Sequence, residues 1–600
     1  MSDQPLVSPN PATGVPVMSH SAPQATRFGL KSTESSLRAF TARMANGISP
    51  SSIQLAQTDW FSHLVASHSK QIELAGSAGV KMAQWMLYVH HFSCGGCNRC
   101  IDPHARDKRF ISPEWNWPPY NLMAQAFLLQ ERWWSEATTG VRGVSPHHED
   151  VVAFMARQWL DMFSPSNGIT TNPQVFAKTL LTGGANLVNG FTHWWQDVLT
   201  LLEDGRPRGV ERFCVGRDVA VTPGRVVMRN HLIEVIEYQS TTIHIDAEPV
   251  LIVPSWIMKY YILDLEPANS MVKYLVDQGH RVFMVSWRNP DSSDQDLGMD
   301  DYLRLGVLAA LETVRKRASH RPVHCVGYCL GGTLLSIAAA ASGVTAPRLM
   351  ASLTLLAAQT DFAEPGELGL FIDESQIAFL EDLMADQGFL DGRQMAGAFA
   401  LINSRDLVWS KLVHEYLMGA ETPMTALRAW NADATRLPAR MHSQYLRGIY
   451  LQNDLAKGRF RVGTDPVSLT DIKIPMFVLA TEHDHVSPWQ SVYKIHDLTK
   501  APTTFVLASG GHNVGIVSPP SGPMASPLAH YRIATTPVGH ASLEPKKWKD
   551  AATVVRGSWW PGWHQWLRKH SSAKILSRPV ARAESGLGVV EAPGTYVHQV

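Results

Sequence analysis

The sequence predicts an α/β protein whose parallel sheet is preceded by a separate helical domain. Between about residues 225 and 358, short apolar segments alternate with amphipathic helical segments. Strands that are apolar along their whole length are typical of a parallel sheet covered by helices on both faces. Before residue 210, apolar side chains instead recur at spacings of three and four, which predicts helices. The length of 600 residues also favours two or three domains over one.

The chain divides into four predicted segments. Residues 1–35, rich in Ser, Pro, Ala and Thr, predict a disordered arm, and residues 36–210 predict an α-helical N-terminal domain. Residues 211–570 predict the α/β domain, and residues 571–600 a polar C-terminal tail.

Apolar runs and helical periodicity predict the elements of the α/β domain in order. Strands are predicted within 225–238 and over 249–257, 281–287, 322–328, 350–358, 474–484 and 503–512, and helices over 270–280, 300–318 and 331–341. Residues 363–470 break this alternation with helical, aromatic-rich pieces. An insertion between two strands of a sheet predicts a cap over the site.

The composition excludes several classes of protein. The formal net charge is zero, so no overall charge favours a nucleic acid or an anionic membrane, and no nucleic-acid partner is expected. Six cysteines in 600 residues do not make a disulfide scaffold. The first residues lack a secretory signal, and no apolar run reaches the roughly 18 residues of a transmembrane segment. A soluble, cytoplasmic protein is therefore expected.

The segment Gly327–Gly332, Gly-Tyr-Cys-Leu-Gly-Gly, follows the predicted strand at 322–328. It has the G-x-S-x-G pattern of a nucleophile elbow, with Cys329 in place of serine. Gly327, Gly331 and Gly332 leave room for a tight turn pressed between sheet and helix. Cys329 would then lie at the positive end of the following helix, which favours the thiolate. The pattern predicts an α/β-hydrolase fold with Cys329 as nucleophile.

Two further residues complete a candidate catalytic triad. Asp484 follows a later predicted strand, and His512 lies in the loop after the next one. The order nucleophile, acid, histidine is the one that α/β-hydrolases use, and ligands of such sheets bind at the carboxyl ends of the strands. His512 can take the thiol proton, and Asp484 can orient the imidazole and stabilise its charged form.

The remaining parts of the predicted site are backbone donors. The N–H of Leu330 is expected to form one side of an oxyanion hole. The loop at 254–264 is expected to form the other side, assigned to Ile262. Cysteine is also a common small core residue, and Cys325, four positions before Cys329, is expected to be buried and inert.

Segments along most of the chain resemble polyhydroxyalkanoate synthases of the single-subunit type. The resemblance runs from about residue 107 to 568 and includes both predicted domains. The pair "KYYILDL" and "VSWRNPD" is far more specific than the elbow pattern alone. Other resembling segments include "WPPYNLMAQAFLLQERWW", "RQWLDMFSPSN", "GGANLVNG", "GYCLGGTLL", "LVWSKLVHEYLMG", "WNADATRLP", "EHDHVSPWQS", "GGHNVGIVSPP" and "SWWPGW".

This resemblance implies a reaction, a site and a set of partners. The reaction is polymerisation of (R)-3-hydroxyacyl-CoA thioesters, with 3-hydroxybutyryl-CoA as the expected substrate, and release of CoA. The implied triad is Cys329, Asp484 and His512, with no cofactor beyond the acyl-CoA substrate. The implied partners are the growing polyester chain, the surface of a cytoplasmic polymer granule, and a second copy of the chain in a homodimer.

A thiol suits this chemistry because an acyl-CoA is itself a thioester. Transfer to Cys329 exchanges one thioester for another at little cost in free energy. The 3-hydroxyl of a second unit can then attack, and oxoester formation drives the chain forward. Asp484 either orients His512 or helps to deprotonate that hydroxyl, and the sequence leaves both roles open.

The sequence departs from the family pattern at two places near the predicted site. Met258 stands where Asn is usual, and Asn513-Val514-Gly515 stands where "IAG" is common. Both changes are expected to alter substrate shape or rate without removing a triad member.

Alternative interpretations remain open from the sequence. The same fold serves thioesterases and intracellular polyester depolymerases, and a non-enzymatic granule scaffold is a third class. Preference for short or medium acyl chains is not decided. Cys94, Cys97 and Cys100 have a C-x₂-C-x₂-C spacing that resembles metal ligation, although a second such group is missing and no metal is assigned.

Overall fold

A computed structural model of the chain describes residues 48–93, 99–104, 107–203, 205–345, 348–580 and 588–600. The predicted arm at 1–35 lies outside these residues, as do Cys94 and Cys97.

The N-terminal part is helical, as predicted. Its helices are α1 (Pro50–Ala66), α2 (His68–Ser93), α3 (Tyr120–Thr138), α4 (Pro146–Met162), α5 (Pro173–Leu181) and α6 (Ala185–Leu202). Side-chain caps begin several of them: the Asn172 side chain accepts hydrogen bonds from the N–H groups of Gln174 and Val175, and Pro173 occupies the first turn. Phe110, Trp115 and Phe127 belong to a small core of their own.

A mixed sheet of ten strands lies at the centre of the described α/β domain. The strands are β1 (Gly224–Arg229), β2 (Ile233–Tyr238), β3 (Val250–Val253), β4 (Val282–Trp287), β5 (Val323–Tyr328), β6 (Met350–Leu356), β7 (Met476–Thr481), β8 (Thr503–Ala508), β9 (His530–Thr536) and β10 (Thr553–Arg556). Their order is β1-β2-β4-β3-β5-β6-β7-β8-β9-β10. The six strands β3 to β8 pair in parallel, and antiparallel pairs extend the sheet at both ends.

Helices cover both faces of this sheet. They are α7 (Met271–Asp277), α8 (299–317, with a π-helical centre at Tyr302–Leu308) and α9 (Leu330–Thr345) and, after the four helices of the cap, α14 (Trp489–Tyr493), α15 (Ile495–Leu498), α16 (Pro545–Ala551) and α17 (Trp560–Lys569). Short 3₁₀-helices lie at Pro113–Asn116, Pro165–Asn167, Val210–Arg212, Tyr260–Asp264, Ser292–Asp294, Glu367–Phe371, Leu469–Asp471 and Tyr596–His598. The strands are buried along their length in the centre of the sheet, which is why they read as apolar runs.

The segment between β6 and β7 forms the cap and is largely helical. It contains α10 (Glu374–Gln387), α11 (Gly392–Ile402), α12 (Ala426–Asn431) and α13 (Ala439–Gln444), with π-helical turns at Arg405–Trp409, Leu412–Leu417 and Tyr445–Leu451. Two-stranded pairings join Phe389–Leu390 to Leu437–Pro438, and Arg461–Val462 to Asp465–Pro466. The cap thus sits between two parallel strands, where the sequence predicts it.

The predicted polar tail packs on the sheet rather than leaving it. Lys574–Leu576 pairs with His244–Asp246, and Val590 accepts a hydrogen bond from the Val226 N–H at 2.9 Å. Val597 is buried. No helix in the described parts of the chain is both long and apolar enough to cross a membrane.

Candidate active site

The turn between β5 and α9 has the geometry of a nucleophile elbow. Cys329 has a φ of 53°, a left-handed conformation that non-glycine residues rarely adopt and that marks backbone strain at functional sites. Its N–H is held by the Leu356 carbonyl of β6 at 2.9 Å, and α9 begins at the next residue. The side chain of Cys329 therefore stands at the carboxyl edge of the sheet, beside a helix N-terminus.

The three glycines of the elbow occupy places that admit no side chain. A Cβ at Gly327 would lie 2.3 Å from the Cα of Gly332, and one at Gly332 would lie 2.4 Å from the Cβ of Ala358. A Cβ at Gly331 would lie 2.2 Å from the Val253 carbonyl oxygen of β3. The absence of these side chains lets the turn press against both neighbouring strands.

Asp484 and His512 meet at the ends of two adjacent strands. Asp484 follows β7, and its Oδ2 lies 2.7 Å from Nδ1 of His512, which follows β8. The other oxygen of Asp484 accepts hydrogen bonds from the N–H groups of Val486 (2.9 Å) and Ser487 (2.7 Å). These bonds fix a buried carboxylate so that it can orient the imidazole.

The imidazole of His512 is hydrogen-bonded to the Asp484 carboxylate and lies near enough to Cys329 for that residue to affect its pKa. Burial alone would lower the pKa of His512, but the Asp484 carboxylate and the Cys329 sulfur together raise that pKa well above its usual value. A protonated imidazole beside the sulfur is the arrangement that stabilises a thiolate. The structure thus brings Cys329, Asp484 and His512 together in one cluster.

Known protein families match this chain in both of its domains. The sequence matches the family described as "Poly-beta-hydroxybutyrate polymerase (PhaC) N-terminus" over residues 106–275 and the alpha/beta hydrolase fold over residues 248–519. A shorter match, to the family "Poly-beta-hydroxybutyrate polymerase N terminal", covers residues 34–70.

The chain is 40% identical over 505 residues to the poly(3-hydroxyalkanoate) polymerase of Methylorubrum extorquens, a match that covers 83% of this chain and 81% of the relative. The chain belongs to the poly(3-hydroxyalkanoate) polymerase family. It is therefore an enzyme of the acyltransferase type. Poly(3-hydroxyalkanoate) polymerase subunit PhaC of Cupriavidus necator is 35% identical over 542 residues, covering 87% of this chain and 90% of that protein. A monoacylglycerol lipase structure from Paleococcus ferrophilus is 11% identical, with a TM-score of 0.30, and covers 56% of this chain and 99% of its own.

Two aromatic side chains of the cap belong to the core cluster against which Cys329 packs. They are Tyr445 and Tyr450, which are buried, and burial raises the pKa of each hydroxyl. Their rings are 5.2 Å apart, the Tyr450 ring lies 4.6 Å from Phe362, and the Tyr445 ring lies 5.9 Å from Trp256. The sequence analysis did not single out these tyrosines, although they lie in the segment that it assigned to the cap.

A cavity lies next to this aromatic cluster. It has a volume of about 290 Å³ and is lined by Phe362 and Tyr450, by Ile372 and Lys457 of the cap, and by His147 of the N-terminal domain. The space next to the cluster is therefore shared by both domains.

The two predicted oxyanion donors differ in their placement. Leu330 is the first residue of α9, directly after Cys329. Ile262 lies in the 3₁₀-helix Tyr260–Asp264 and is buried in the core. The part of the 254–264 loop that presses on the elbow is its start, because a Cβ at Gly331 would lie 2.6 Å from the Pro254 carbonyl oxygen.

Asn513, one of the departures from the family pattern, has a definite role in the structure. Its Oδ1 accepts a hydrogen bond of 2.6 Å from the hydroxyl of Tyr328. The Tyr328 ring lies 5.7 Å from the His512 ring. Asn513 therefore holds an aromatic ring beside the imidazole of His512. Met258 forms an isolated β-bridge with Ala434 of the cap.

The remaining cysteines show no metal centre in the described residues. The Cys100 thiol donates a hydrogen bond to the side chain of Gln125 at 3.0 Å, and no group of three or more His, Cys, Asp or Glu side chains in these residues is arranged to hold a metal ion. Cys325 is buried, as expected, and burial raises the pKa of its thiol.

Proposed function

We propose that this chain polymerises (R)-3-hydroxyacyl-CoA, with 3-hydroxybutyryl-CoA as the expected substrate, into polyhydroxyalkanoate with release of CoA. The observation that carries the proposal is the strained elbow that aims Cys329 at the His512–Asp484 pair under an aromatic cap. The relatives in Methylorubrum extorquens and Cupriavidus necator are named as poly(3-hydroxyalkanoate) polymerases, which supports the same reaction class.

The first step is thioester exchange. The Cys329 thiolate attacks the acyl-CoA carbonyl carbon, and the oxyanion that forms is stabilised by the Leu330 N–H and by the loop at 254–264. When the bond from carbon to the CoA sulfur breaks, the imidazolium of His512 gives its proton to the departing CoA thiolate. The acyl group is then held on Cys329 as a thioester.

The second step forms the polymer bond. The 3-hydroxyl of another unit attacks the thioester carbonyl, an oxoester bond forms, and the bond to the Cys329 sulfur breaks. His512, neutral after the first step, takes the hydroxyl proton and is again the imidazolium beside a thiolate. Asp484 acts either by orienting His512 or by assisting the removal of that proton.

Water competes with the hydroxyl at this step, and the cap limits its access. Tyr445, Tyr450 and Phe362 are each less than a tenth exposed. Exclusion of water from a closed site suppresses hydrolysis of reactive intermediates. This enclosure favours a synthase over the alternative function, a thioesterase or intracellular polyester depolymerase.

An exposed apolar surface on the N-terminal domain supports a further part of the proposal. Val188, Phe191 and Trp195 recur at spacings of three and four along α6, and each is more than 40% exposed. We assign this surface to contact with the polyester granule in the cytoplasm. A homodimer is also proposed, on the family resemblance.

The function is tested with the Cys329→Ala and Cys329→Ser variants and acyl-CoA substrates of four and more carbons. Cys329→Ala is expected to release no CoA and form no polymer, and Cys329→Ser to lose most activity because its ester is a poorer acyl donor. Cys214→Ala, which changes a free cysteine outside the site, is the matched control and should behave as the wild type. CoA release by Cys329→Ala at the wild-type rate would refute the proposal, and free 3-hydroxy acid as the main product would favour the hydrolase.

A further inference from the structure

The C-terminal segment at 595–599 is hydrogen-bonded to a buried carboxylate of strand β2. Glu234 of β2 is fully buried, and its carboxylate accepts hydrogen bonds from the N–H groups of Thr595 (2.9 Å) and Tyr596 (3.0 Å). The Tyr596 hydroxyl donates to the Asn230 carbonyl at 2.6 Å. Glu234 is also ion-paired with Arg229 through its other oxygen, so the segment supplies the donors for the oxygen that Arg229 does not contact.

From this anchor the segment reaches the loop that follows β3. Lys259, only 4% exposed, donates from Nζ to the carbonyl oxygens of Val597 (3.0 Å) and Gln599. The Gln599 side chain accepts a hydrogen bond of 3.0 Å from the Asn289 N–H in the loop after β4. A buried ammonium needs such acceptors, since removing it from water without partners costs several kcal/mol.

The same loop is held on its other side by the cap. Trp430 donates from Nε1 to the Lys259 carbonyl at 2.7 Å, and the Thr435 hydroxyl donates to the Trp256 carbonyl at 2.8 Å. The start of the loop presses on the elbow at Gly331. The nucleophile turn, the cap and the C-terminal segment therefore all contact this loop. Lys259 makes the contact between the loop and the C-terminal segment.

We propose that Lys259 is a positioning residue through which the C-terminal segment 595–599 holds the 254–264 loop in the geometry that stabilises the oxyanion. The inference rests on the proposed function, because it assigns a task to the loop only if Cys329 forms an acyl intermediate. Lys259 itself touches neither substrate nor thiol in this assignment. Misplacing such a loop by about 1 Å is expected to cost about 100-fold in rate.

The test measures kcat and KM for CoA release in full-length variants. Lys259→Met keeps the side-chain length but removes the ammonium, and it should lower kcat by about 10- to 100-fold with KM within about twofold. Lys259→Arg, which keeps a donor, should restore most of the rate. Alkylation of Cys329 by iodoacetamide should proceed at the wild-type rate in both variants, because the thiol and His512 are untouched.

A second pair of variants tests the segment without altering the loop. Val597→Asp places a charge at a position that is 2% exposed and should expel the segment, whereas Val600→Asp makes the same change at a position that is 76% exposed. Amide exchange at residues 595–599 reports whether the segment has left. The expelled variant should lose kcat as Lys259→Met does, and the control should not.

Three results would overturn the inference. These are wild-type kcat in Lys259→Met, wild-type kcat in Val597→Asp after the segment has been expelled, or loss of Cys329 alkylation in parallel with CoA release. The last result would mean that Lys259 supports the fold as a whole. Failure of the proposed function is distinguishable from all three, because it would appear as CoA release by Cys329→Ala.

Discussion

At the scale of single residues, the proposed mechanism makes the proton on His512 control the state of the Cys329 nucleophile. The neighbouring Asp484 carboxylate raises the pKa of His512 well above its ordinary value, against the effect of burial. A histidine that stays protonated at neutral pH can stabilise the thiolate before substrate arrives and protonate the departing CoA afterwards. The charge of Asp484, whose Oδ2 lies 2.7 Å from the imidazole, and the nearby Cys329 together produce this effect.

The Asp484→Asn variant tests this control. Removing the carboxylate takes away the largest of the effects that raise the pKa of His512, so that pKa should fall and the imidazolium beside the Cys329 sulfur should be less populated. The half-maximal pH for alkylation of Cys329 by iodoacetamide should therefore rise, and first-turnover CoA release should slow by about 10³- to 10⁴-fold. Asp497→Asn, which makes the same change in a carboxylate on α15, outside the candidate triad, is the control. An unchanged alkylation profile in Asp484→Asn would contradict the assignment.

The sequence predicted the residues of the site unevenly, for a physical reason. Cys329, Asp484 and His512 each follow a strand whose apolar run is visible in the sequence, and parallel strands bring their carboxyl ends to one edge. Tyr445 and Tyr450 come from the cap, whose path over the sheet has no periodic pattern to fix it. Their aromatic character was visible, but their place above the cysteine depends on long-range packing.

At the scale of elements, the helical N-terminal domain is fastened to the cap. Arg405 of the cap binds Asp161 of α4 at 2.7 Å and Glu131 of α3 at 2.8 Å, and Arg109 pairs with both of those carboxylates. The α6 helix packs so closely on the cap that a Cβ at Gly190 would lie 1.7 Å from the Tyr416 carbonyl oxygen. The N-terminal domain is therefore placed to hold the cap over Cys329.

Replacing Arg405 tests this fastening. Arg405→Met removes one of two cations from a cluster in which Asp161 is almost fully buried, so the cap should loosen and admit water. The share of acyl-CoA converted to free 3-hydroxy acid should rise severalfold relative to polymer, as measured by product analysis. Arg459→Met, a cap arginine that pairs with Asp454 within the cap, is the matched control. An equal product ratio in both variants would count against a role for the N-terminal domain in excluding water.

The sequence predicted the strands that are buried along their whole length and missed strands that are only partly buried. The parallel strands β3 to β8 are buried throughout and were recognised as apolar runs, with ends within a few residues of the structure. The antiparallel strands β9 and β10 are only partly buried, so their residues show neither an apolar run nor a clear alternation. The docking of segment 595–599 could not be predicted, because its bonds to Glu234 and Lys259 use backbone N–H and carbonyl groups, which residues of almost any type supply.

At the scale of the whole molecule, buried histidines at the edge of the sheet opposite the triad make stability depend on pH. His280 lies 2.9 Å from the ring nitrogen of His564 and is fully buried. Burial, with the nearby charges of His564 and His324, lowers the pKa of His280 to about 3, and burial lowers the pKa of His324 to about 4. An unfolded histidine has a pKa near 6.5, so below that pH the unfolded chain binds protons that the folded chain does not.

Stability should therefore be full above about pH 6.5 and fall as the pH drops toward 4. Each such histidine contributes a slope of about 1.4 kcal/mol per pH unit in this range. Urea unfolding at pH 7.5 and 5.0 measures the change, and His280→Gln should reduce the loss on acidification. His540→Gln, at an exposed histidine, should leave the loss unchanged. Equal losses in wild type and His280→Gln would refute this source of acid sensitivity.

At the exposed apolar face of α5 and α6 in the N-terminal domain, we expect the molecule to bind a polyester surface. Leu181 of α5 is 87% exposed, and Val188 and Leu202 of α6 are 67% and 75% exposed. Full burial of such a side chain against an apolar surface contributes about 1.5–3 kcal/mol, so a few of them suffice for adsorption to a polyester surface. The opposite side of α6 is packed on the cap through Gly190, so these apolar side chains face away from the cap.

A triple variant, Leu181→Gln with Val188→Gln and Leu202→Gln, should lose most of its co-sedimentation with polyester particles. Its initial rate of CoA release from dissolved acyl-CoA should stay within about twofold of wild type, because these side chains are already exposed and lie outside the site. The matched control changes three equally exposed side chains elsewhere, Ile243, Leu528 and Leu576, to Gln and should sediment as wild type does. Wild-type sedimentation by the α5–α6 variant, with a shift from dimer to monomer in gel filtration, would assign this face to a second copy of the chain instead.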